Sequence, residues 1–170
     1  LSMALVFLIL CSAFFSSSET SMMALNRYRL KHLKQKGHRG ARKASRLLSR
    51  PDRLIGLILI GNNLVNIAAA SLATAMAVRL YGDAGYIIAT ISLTLVILIF
   101  AEVTPKTFAA LYPEKIAFPA SYLLQPLQAL FRPIVIVTNF ITNSIIRWLG
   151  GNPQHNQNDD LSFEELRVLV

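Results

Sequence analysis

Cysteine is scarce in this sequence of 170 residues, and so are charged residues, acidic ones above all. These two scarcities exclude several kinds of protein. The single cysteine, Cys11, leaves no partner for a disulfide within the chain and no cysteine spacing for a metal site. Charged residues make up 15% of the chain and hydrophobic residues 54%, with a mean hydropathy of +0.48, which is too apolar for an ordinary soluble domain. The composition therefore predicts one all-α integral membrane domain.

Positive charge is present, but it is concentrated in one segment. Eleven of the 17 Lys and Arg lie in residues 27–53, where Asp52 is the only acid. Tyr28 is the one residue among Phe, Trp and Tyr that is interleaved with them for stacking on bases, so nucleic acid is not expected as a partner. A basic segment between two apolar ones fits the positive-inside rule, with membrane lipids that carry anionic headgroups as its surface partner.

Three apolar stretches are long enough to cross a bilayer core, which needs about 20 helical residues. They cover residues 1 to about 25, 54–78, and 84 to about 112. The basic loop at 27–53 then predicts a cytoplasmic side for itself and for the carboxy terminus, with the amino terminus and the turn at 79–83 outside. We expect an integral protein of the plasma (inner) membrane. Helical periodicity within the loop, interrupted near Gly37 and Gly40, predicts a helical hairpin there.

Residues 116–149 allow two interpretations, because they are apolar but contain Pro119, Pro126 and Pro133, with Arg132 between them. They could form a fourth span, or Pro-broken amphipathic helices at the cytoplasmic interface, and the second interpretation is favoured. Residues 1–150 would then be a transmembrane domain with a juxtamembrane helix belt. Residues 151–170 are interpreted as a linker and the start of a cytoplasmic helical region, and we expect the full protein to be longer.

Glu102 is the most informative single residue, because it ends an uncharged run of 18 residues, 84–101. An acid at membrane depth usually faces a cavity, a partner or an ion. At roughly 1.5 Å per residue, Ser16 and Glu102 lie about 16 Å from the cytoplasmic edge and Asn62 about 13 Å. Asn62 and Asn66 are four residues apart, so both amides lie on one helix face. The three spans therefore place polar groups at one level.

This set offers only oxygen ligands, which select hard cations such as Mg²⁺, Ca²⁺ or Na⁺. Pro105 removes one hydrogen bond within its helix and frees the carbonyl oxygen of Ala101 as a further ligand, so Pro105 is also predicted as the point where the helix kinks and gates. The small residue Gly61 would allow a close approach of the backbone. The predicted metal site consists of Ser16, Gly61, Asn62, Asn66 and Glu102.

Structural roles compete with cation binding at several of these positions. Hydroxyls and amides in membrane helices often bond to a neighbouring helix or to a carbonyl one turn back, and this reading is favoured for Ser12, Ser17 and Asn63. Glu19 could simply meet the interface near the basic loop. Lys106, one turn after Glu102, could form a salt bridge with it, which is the strongest alternative explanation for the acid.

Three motifs in this order resemble the transmembrane domain of the CorC/CorB and cyclin M family of magnesium transporters. They are Phe15-Ser16-x-Ser18-Glu19-Thr20, then Gly61-Asn62-Asn63-Leu64-Val65-Asn66, then Glu102-Val103-x-Pro105-Lys106. The resemblance implies a homodimer with three spans and a helix belt in each subunit. It also implies a magnesium site made by Ser16, Gly61 with Asn62, and Glu102.

The same resemblance implies sodium-coupled export and a following pair of cytoplasmic CBS-type domains that bind nucleotide. Two positions depart from the family pattern: Ala101 stands where glycine often precedes the glutamate, and Ser17 stands where glycine often follows the first serine. The predicted function is Mg²⁺ transport, with Na⁺ as a possible coupling ion. The alternative is a non-transporting scaffold or metal sensor that acts through cytoplasmic partner domains. An enzyme is not expected, because no His or Lys base lies at the depth of Ser16 or Ser18.

Overall fold

The computed structural model describes residues 2–150, and this part of the chain is helical almost throughout. The elements are α1 (Ser2–Ala24), α2 (Arg27–Gln35), α3 (Arg39–Leu48), α4 (Pro51–Tyr81), α5 (Ala84–Val96), a π-helical segment (Ile97–Val103), α6 (Thr104–Leu111) and α7 (Pro113–Trp148). No strand occurs within these residues, so the prediction of an all-α fold is confirmed.

Four stretches of helix are long and apolar enough to cross a membrane. They are α1, α4, the continuous helix Ala84–Leu111 that runs through the π-helical segment, and α7. The first three correspond to the three predicted spans. The fourth lies where the sequence predicted interfacial helices, so the structure has one more candidate span than the predicted three.

α1 packs against α4, the π-helical segment and α6, while α4 also packs against α5. The buried side of α1 is mostly hydroxyls, since Ser12, Ser16, Ser18 and Ser21 are all buried. Large apolar side chains such as Phe7 instead lie exposed on the outer surface. Small polar residues between helices and apolar residues outside are the arrangement that a lipid solvent favours.

The predicted hairpin in the basic loop is present as α2 and α3, which pack against each other. Asn26 caps α2 by accepting hydrogen bonds from the backbone N–H groups of Tyr28 and Arg29. Gly37, with φ at +82°, makes the turn. Gly40 was wrongly assigned to the break: it lies in the first turn of α3, where an added Cβ would stand 2.8 Å from the Cβ of Phe118.

The chain divides into two compact units, Leu1–Arg132 and Pro133–Val170. α7 continues through its prolines without interruption, so the prediction that prolines break this segment is wrong. In the first unit, Pro119 and Pro126 are exposed, whereas Ala117, Ala120, Ser121 and Leu124 form a buried stripe. Each proline therefore removes a hydrogen bond on the exposed side of the helix, which curvature can absorb. The predicted linker and helix start at 151–170 lie outside the described residues.

Candidate cation site

Ser12 joins two asparagines of α4 to α1. Its hydroxyl lies 2.6 Å from Oδ1 of Asn66 and 3.0 Å from Oδ1 of Asn62. Both amides thus lie on one face of α4, as the i and i+4 spacing predicted, and the structure shows that this face meets α1. One hydroxyl carries one proton, so it satisfies only one of the two amide oxygens at a time. The cluster therefore has more acceptor oxygens than donated protons.

Ser16 lies one turn further along the same side of α1. It is completely buried, and its hydroxyl is the one buried side-chain polar atom of residues 2–150 that lacks a hydrogen-bond partner. Leaving a buried hydroxyl unsatisfied costs about 1–3 kcal/mol. Such a group in a native protein calls for an explanation, and an ion is one of the standard ones.

Gly61 brings α4 against the aromatic ring next to Ser16. A Cβ added at Gly61 would stand 2.6 Å from both Cε1 and Cζ of Phe15, closer than side chains approach each other. The ring is itself buried and packs edge-on against Phe14, with centroids 5.6 Å apart. The small size of Gly61 thus accommodates Phe15, which is a packing role that the sequence alone did not identify.

Glu102 forms the ion pair that was named as its alternative explanation. Nζ of Lys106 lies 3.5 Å from Oε2 of Glu102 and 3.8 Å from Oε2 of Glu19 on α1. Both distances exceed the 2.7–2.9 Å typical of a charge-assisted hydrogen bond. Two carboxylates share one ammonium, so the three groups together keep a net charge of −1. The side chain of Glu102 is 31% exposed and that of Lys106 40%, so neither group is enclosed by the described part of the chain.

The backbone around Glu102 is π-helical from Ile97 to Val103, and Pro105 follows in the first turn of α6. The wider turn is visible where the N–H of Thr104 bonds to the carbonyl of Ile99, five residues back. Short π-helical segments within α-helices occur frequently at functional sites. Ala101 is completely buried within it. The sequence predicted an irregularity from Pro105, but nothing in it specified a π-helix.

Three other polar residues lie away from the cluster. Ser17 and Ser18 both donate to the carbonyl of Phe14, at 3.1 and 2.6 Å, so their hydroxyls are used within α1. This agrees with the structural reading favoured for Ser17. Asn63 is exposed and points away from Asn62 and Asn66, also as expected.

An open groove of about 320 Å³ connects Asn66 of α4 with Glu102 of the π-helical segment. Thr74, Thr90 and Thr94 also line it. Thr90 and Thr94 each donate to a carbonyl four residues back, which leaves their oxygens as acceptors along the groove. The groove thus runs between α4 and α5 with a mainly apolar lining, in which a few side-chain oxygens are spaced and which ends at the acid. This groove was not predicted, because it depends on which helix faces meet.

The packed helices with outward apolar side chains and buried oxygen donors define a polytopic helical membrane protein with a polar intramembrane cluster. Residues 3–170 match the family described as the cyclin M transmembrane N-terminal domain. The chain belongs to this family, and the resemblance stated from its three motifs is confirmed.

Relatives with curated names are similar over nearly the whole chain. The UPF0053 inner membrane protein YfjD of Escherichia coli is 57% identical over 159 residues, which are 94% of this chain and 37% of that protein. A UPF0053 protein of Haemophilus influenzae is 47% identical over 173 residues, covering 100% of this chain and 41% of that protein. A polyamine export protein of Haemophilus influenzae is 27% identical over 158 residues, which cover 85% of this chain and 37% of that protein. The chain thus spans about two fifths of the length of these relatives.

Proposed function

We propose that this protein transports a hard cation, with Mg²⁺ as the substrate, through the cluster of oxygen donors between α1, α4 and the π-helical segment. The observation that carries the proposal is the Ser16 hydroxyl, which is buried without a hydrogen-bond partner in the described part of the chain. A cation held there would use that oxygen. It would also use the amide oxygen of Asn62 or Asn66 that Ser12 leaves unsatisfied.

The charge near the cluster supports the same proposal. Glu102 lines the groove that also contains Asn66, and Lys106 leaves a net charge of −1 on the group formed with Glu19. A divalent cation that entered would therefore meet unneutralised negative charge. Lys106 acts in this proposal as a resident counter-ion, which releases a carboxylate when the cation binds.

The arrangement in the membrane is part of the proposal. Three spans, namely α1, α4 and Ala84–Leu111, would cross the inner membrane, and α7 would lie along its cytoplasmic surface. The support comes from the first unit, where Glu114 at the start of α7 pairs with Arg29 of α2 at 2.6 Å. There, Gln125 of α7 accepts a hydrogen bond from Lys43 of α3 at 2.8 Å. These contacts tie α7 to the basic hairpin, which the positive-inside rule assigns to the cytoplasm.

The assembly and the coupling are carried over from the family resemblance alone. A homodimer, cytoplasmic CBS-type domains in the remainder of a longer chain, and Na⁺ as a coupling ion stay predictions. A non-transporting scaffold or metal sensor is the alternative, and for the scaffold the polar positions between the spans should tolerate alanine, whereas the basic loop should not.

Substitution of Glu102 by glutamine tests the proposal. Glutamine has about the same size as glutamate but carries no charge. It should weaken Mg²⁺ binding by at least about tenfold, because interactions with a charged group are worth about 1.5–3 kcal/mol. Binding is measured as the rise in melting temperature of the full-length protein with Mg²⁺ concentration, and transport as Mg²⁺ flux in proteoliposomes. Glu114→Gln is the matched control, since it removes the same charge from a half-buried carboxylate that is paired with Arg29 outside the cluster.

The two measurements separate the alternatives. Full flux by the Glu102→Gln protein would refute the proposed site. A sensor would be favoured if the melting temperature of the Asn62→Ala protein still rises with Mg²⁺ while neither this protein nor the unsubstituted protein shows Mg²⁺ flux. No response of the unsubstituted protein to Mg²⁺ would favour a scaffold.

A second candidate function is export of a polyamine, and a specific contact favours it. The primary ammonium of Lys106 already lies between the carboxylates of Glu19 and Glu102, so this position accepts an alkylammonium group. The adjoining groove offers threonine oxygens along its length, and one relative is named a polyamine export protein. Thermal stabilisation by spermidine that exceeds that by Mg²⁺, and that is lost in Glu19→Gln, would favour this function over the first.

A further inference from the structure

The outer side of α3 carries a cationic pocket. Arg39, Arg42, Lys43 and Arg46 follow one another at helical spacing, and Gln125 of α7 completes a pocket of about 230 Å³. The three arginines are exposed. None of the four cations forms a salt bridge with any residue in 2–150. Four like charges thus share one pocket without a counter-ion from the described chain.

The opposite side of α3 is fixed, so the pocket has a defined shape. Ala41, Ala44, Leu47 and Leu48 are all buried. The first turn of α3 meets α7 where Gly40 packs against Phe118, and the hydroxyl of Ser121 lies 3.4 Å from the carbonyl of Gly40. These contacts hold the cationic side of α3 against α7.

Lys43 is held at the border between the cationic pocket and an apolar surface. Its Nζ donates to Gln125 and lies 4.8 Å from the centre of the Tyr122 ring. Tyr122 and Leu123 of α7 are both about half exposed. An exposed tyrosine beside aliphatic side chains is typical of the membrane interface.

The position of the pocket along the chain also matters. α2 and α3 connect the end of α1 to the start of α4, and α1 and α4 are candidate spans. The hairpin therefore lies at the ends of the spans, at the depth of lipid headgroups. Guanidinium groups bind phosphate oxygens in pairs, and an apolar surface next to them suits acyl chains rather than a soluble anion.

We propose that the pocket formed by Arg39, Arg42, Lys43, Arg46 and Gln125 binds the phosphate headgroup of an anionic phospholipid. The acyl chains lie against the exposed side chains of Tyr122 and Leu123 on α7. This site is independent of the cation site, and its occupancy holds the α3–α7 contact at the membrane surface.

The experiment measures lipid binding to the full-length protein in detergent. Phosphatidylglycerol is added, and phosphatidylcholine serves as the lipid without net charge. Bound lipids are counted by native mass spectrometry, and the melting temperature is followed in parallel. The Arg42→Gln and Arg46→Gln double variant should bind phosphatidylglycerol roughly tenfold more weakly, because two of the phosphate contacts are lost. The matched control, Lys34→Gln with Lys36→Gln, removes two exposed charges from the same hairpin outside the pocket and should bind normally.

Three results would overturn the proposal. The first is an unchanged preference of the double variant for phosphatidylglycerol. The second is an equal loss in the control, which would mean a diffuse attraction to the whole hairpin. The third is arginine-dependent stabilisation by inorganic phosphate at millimolar concentration without lipid, which would mean a site for a soluble anion. If the double variant does not fold, the single substitutions Arg42→Gln and Arg46→Gln give the same comparison.

Discussion

Replacing Gly61 by alanine adds one methyl group where α4 packs against the Phe15 ring of α1. The new Cβ would stand 2.6 Å from two atoms of the Phe15 ring and 3.0 Å from a third. Ordinary contacts of this kind begin at about 3.4 Å, so the ring must retreat by about 1 Å. Phe15 is only 8% exposed, which leaves it little room to move.

Two opposing contributions set the magnitude. Overpacking of a well-packed interior costs about 1–3 kcal/mol. Alanine in place of glycine within a helix returns about 0.5–1 kcal/mol. We therefore expect a net destabilisation of about 1–2 kcal/mol. A shift of the ring also displaces the adjacent Ser16, so the response to Mg²⁺ should weaken as well.

A double-mutant cycle with Phe15→Leu provides the assay. Melting temperatures of the four proteins are compared with and without Mg²⁺. Leucine removes the ring atoms that the new methyl group would meet, so Gly61→Ala should become neutral or stabilising in that background. If Gly61→Ala destabilises equally with leucine at position 15, the clash is not the cause. If leucine restores stability but not the Mg²⁺ response, Gly61 acts through its backbone at the cation site.

Three further predictions concern single side chains of the cluster or next to it. Ser16→Ala removes a buried hydroxyl without a partner, so it should raise the melting temperature without Mg²⁺ and reduce the rise that Mg²⁺ produces. Ser12→Ala should instead destabilise the protein by about 1 kcal/mol, because it removes the hydroxyl that joins Asn66 to α1. Equal changes in melting temperature for Ser16→Ala and Ser12→Ala would contradict this distinction. Lys106→Met should lower the melting temperature without cation and make it rise more steeply with Mg²⁺ concentration, because the carboxylate of Glu102 loses its counter-ion. If the melting temperature depends on Mg²⁺ concentration as in the unsubstituted protein, the ammonium does not compete with the cation.

The sequence predicted the parts of the fold that depend on local periodicity. The spacing of Asn62 and Asn66 placed both amides on one face, and the structure has both at the hydroxyl of Ser12. The alternative explanation for Glu102 came from the same rule, because Lys106 is four residues later. Apolar runs and the basic segment likewise predicted the first three candidate spans and the α2–α3 hairpin.

Features that depend on contacts between helices were not predicted. Gly61 was expected to allow a close approach of the backbone at the metal site, and the group that lies against it is the Phe15 ring, which only the packing of α1 on α4 could reveal. The prolines of α7 were expected to end helices. In the first unit, Pro119 and Pro126 lie on the exposed side of α7, opposite a buried stripe, and the helix continues through them. Which side of the helix is buried depends on its contacts with other helices, and the sequence alone does not show this.

The π-helical segment Ile97–Val103 has a mechanical consequence for the groove between Asn66 and Glu102. Successive residues of an α-helix are rotated by about 100° around its axis, and a π-helical turn contains one residue more than an α-helical turn. Conversion of the π-helical turn to α-helix therefore rotates the part of the helix before the segment against the part after it by about 100°. Thr90 and Thr94 lie before the segment and Lys106 after it. Relaxation to regular α-helix would therefore rotate Thr90 and Thr94 around the helix axis while α6 stayed fixed against α1. Hydrogen bonds five residues apart, such as that from the N–H of Thr104 to the carbonyl of Ile99, would be exchanged for bonds four residues apart, and no covalent bond would break.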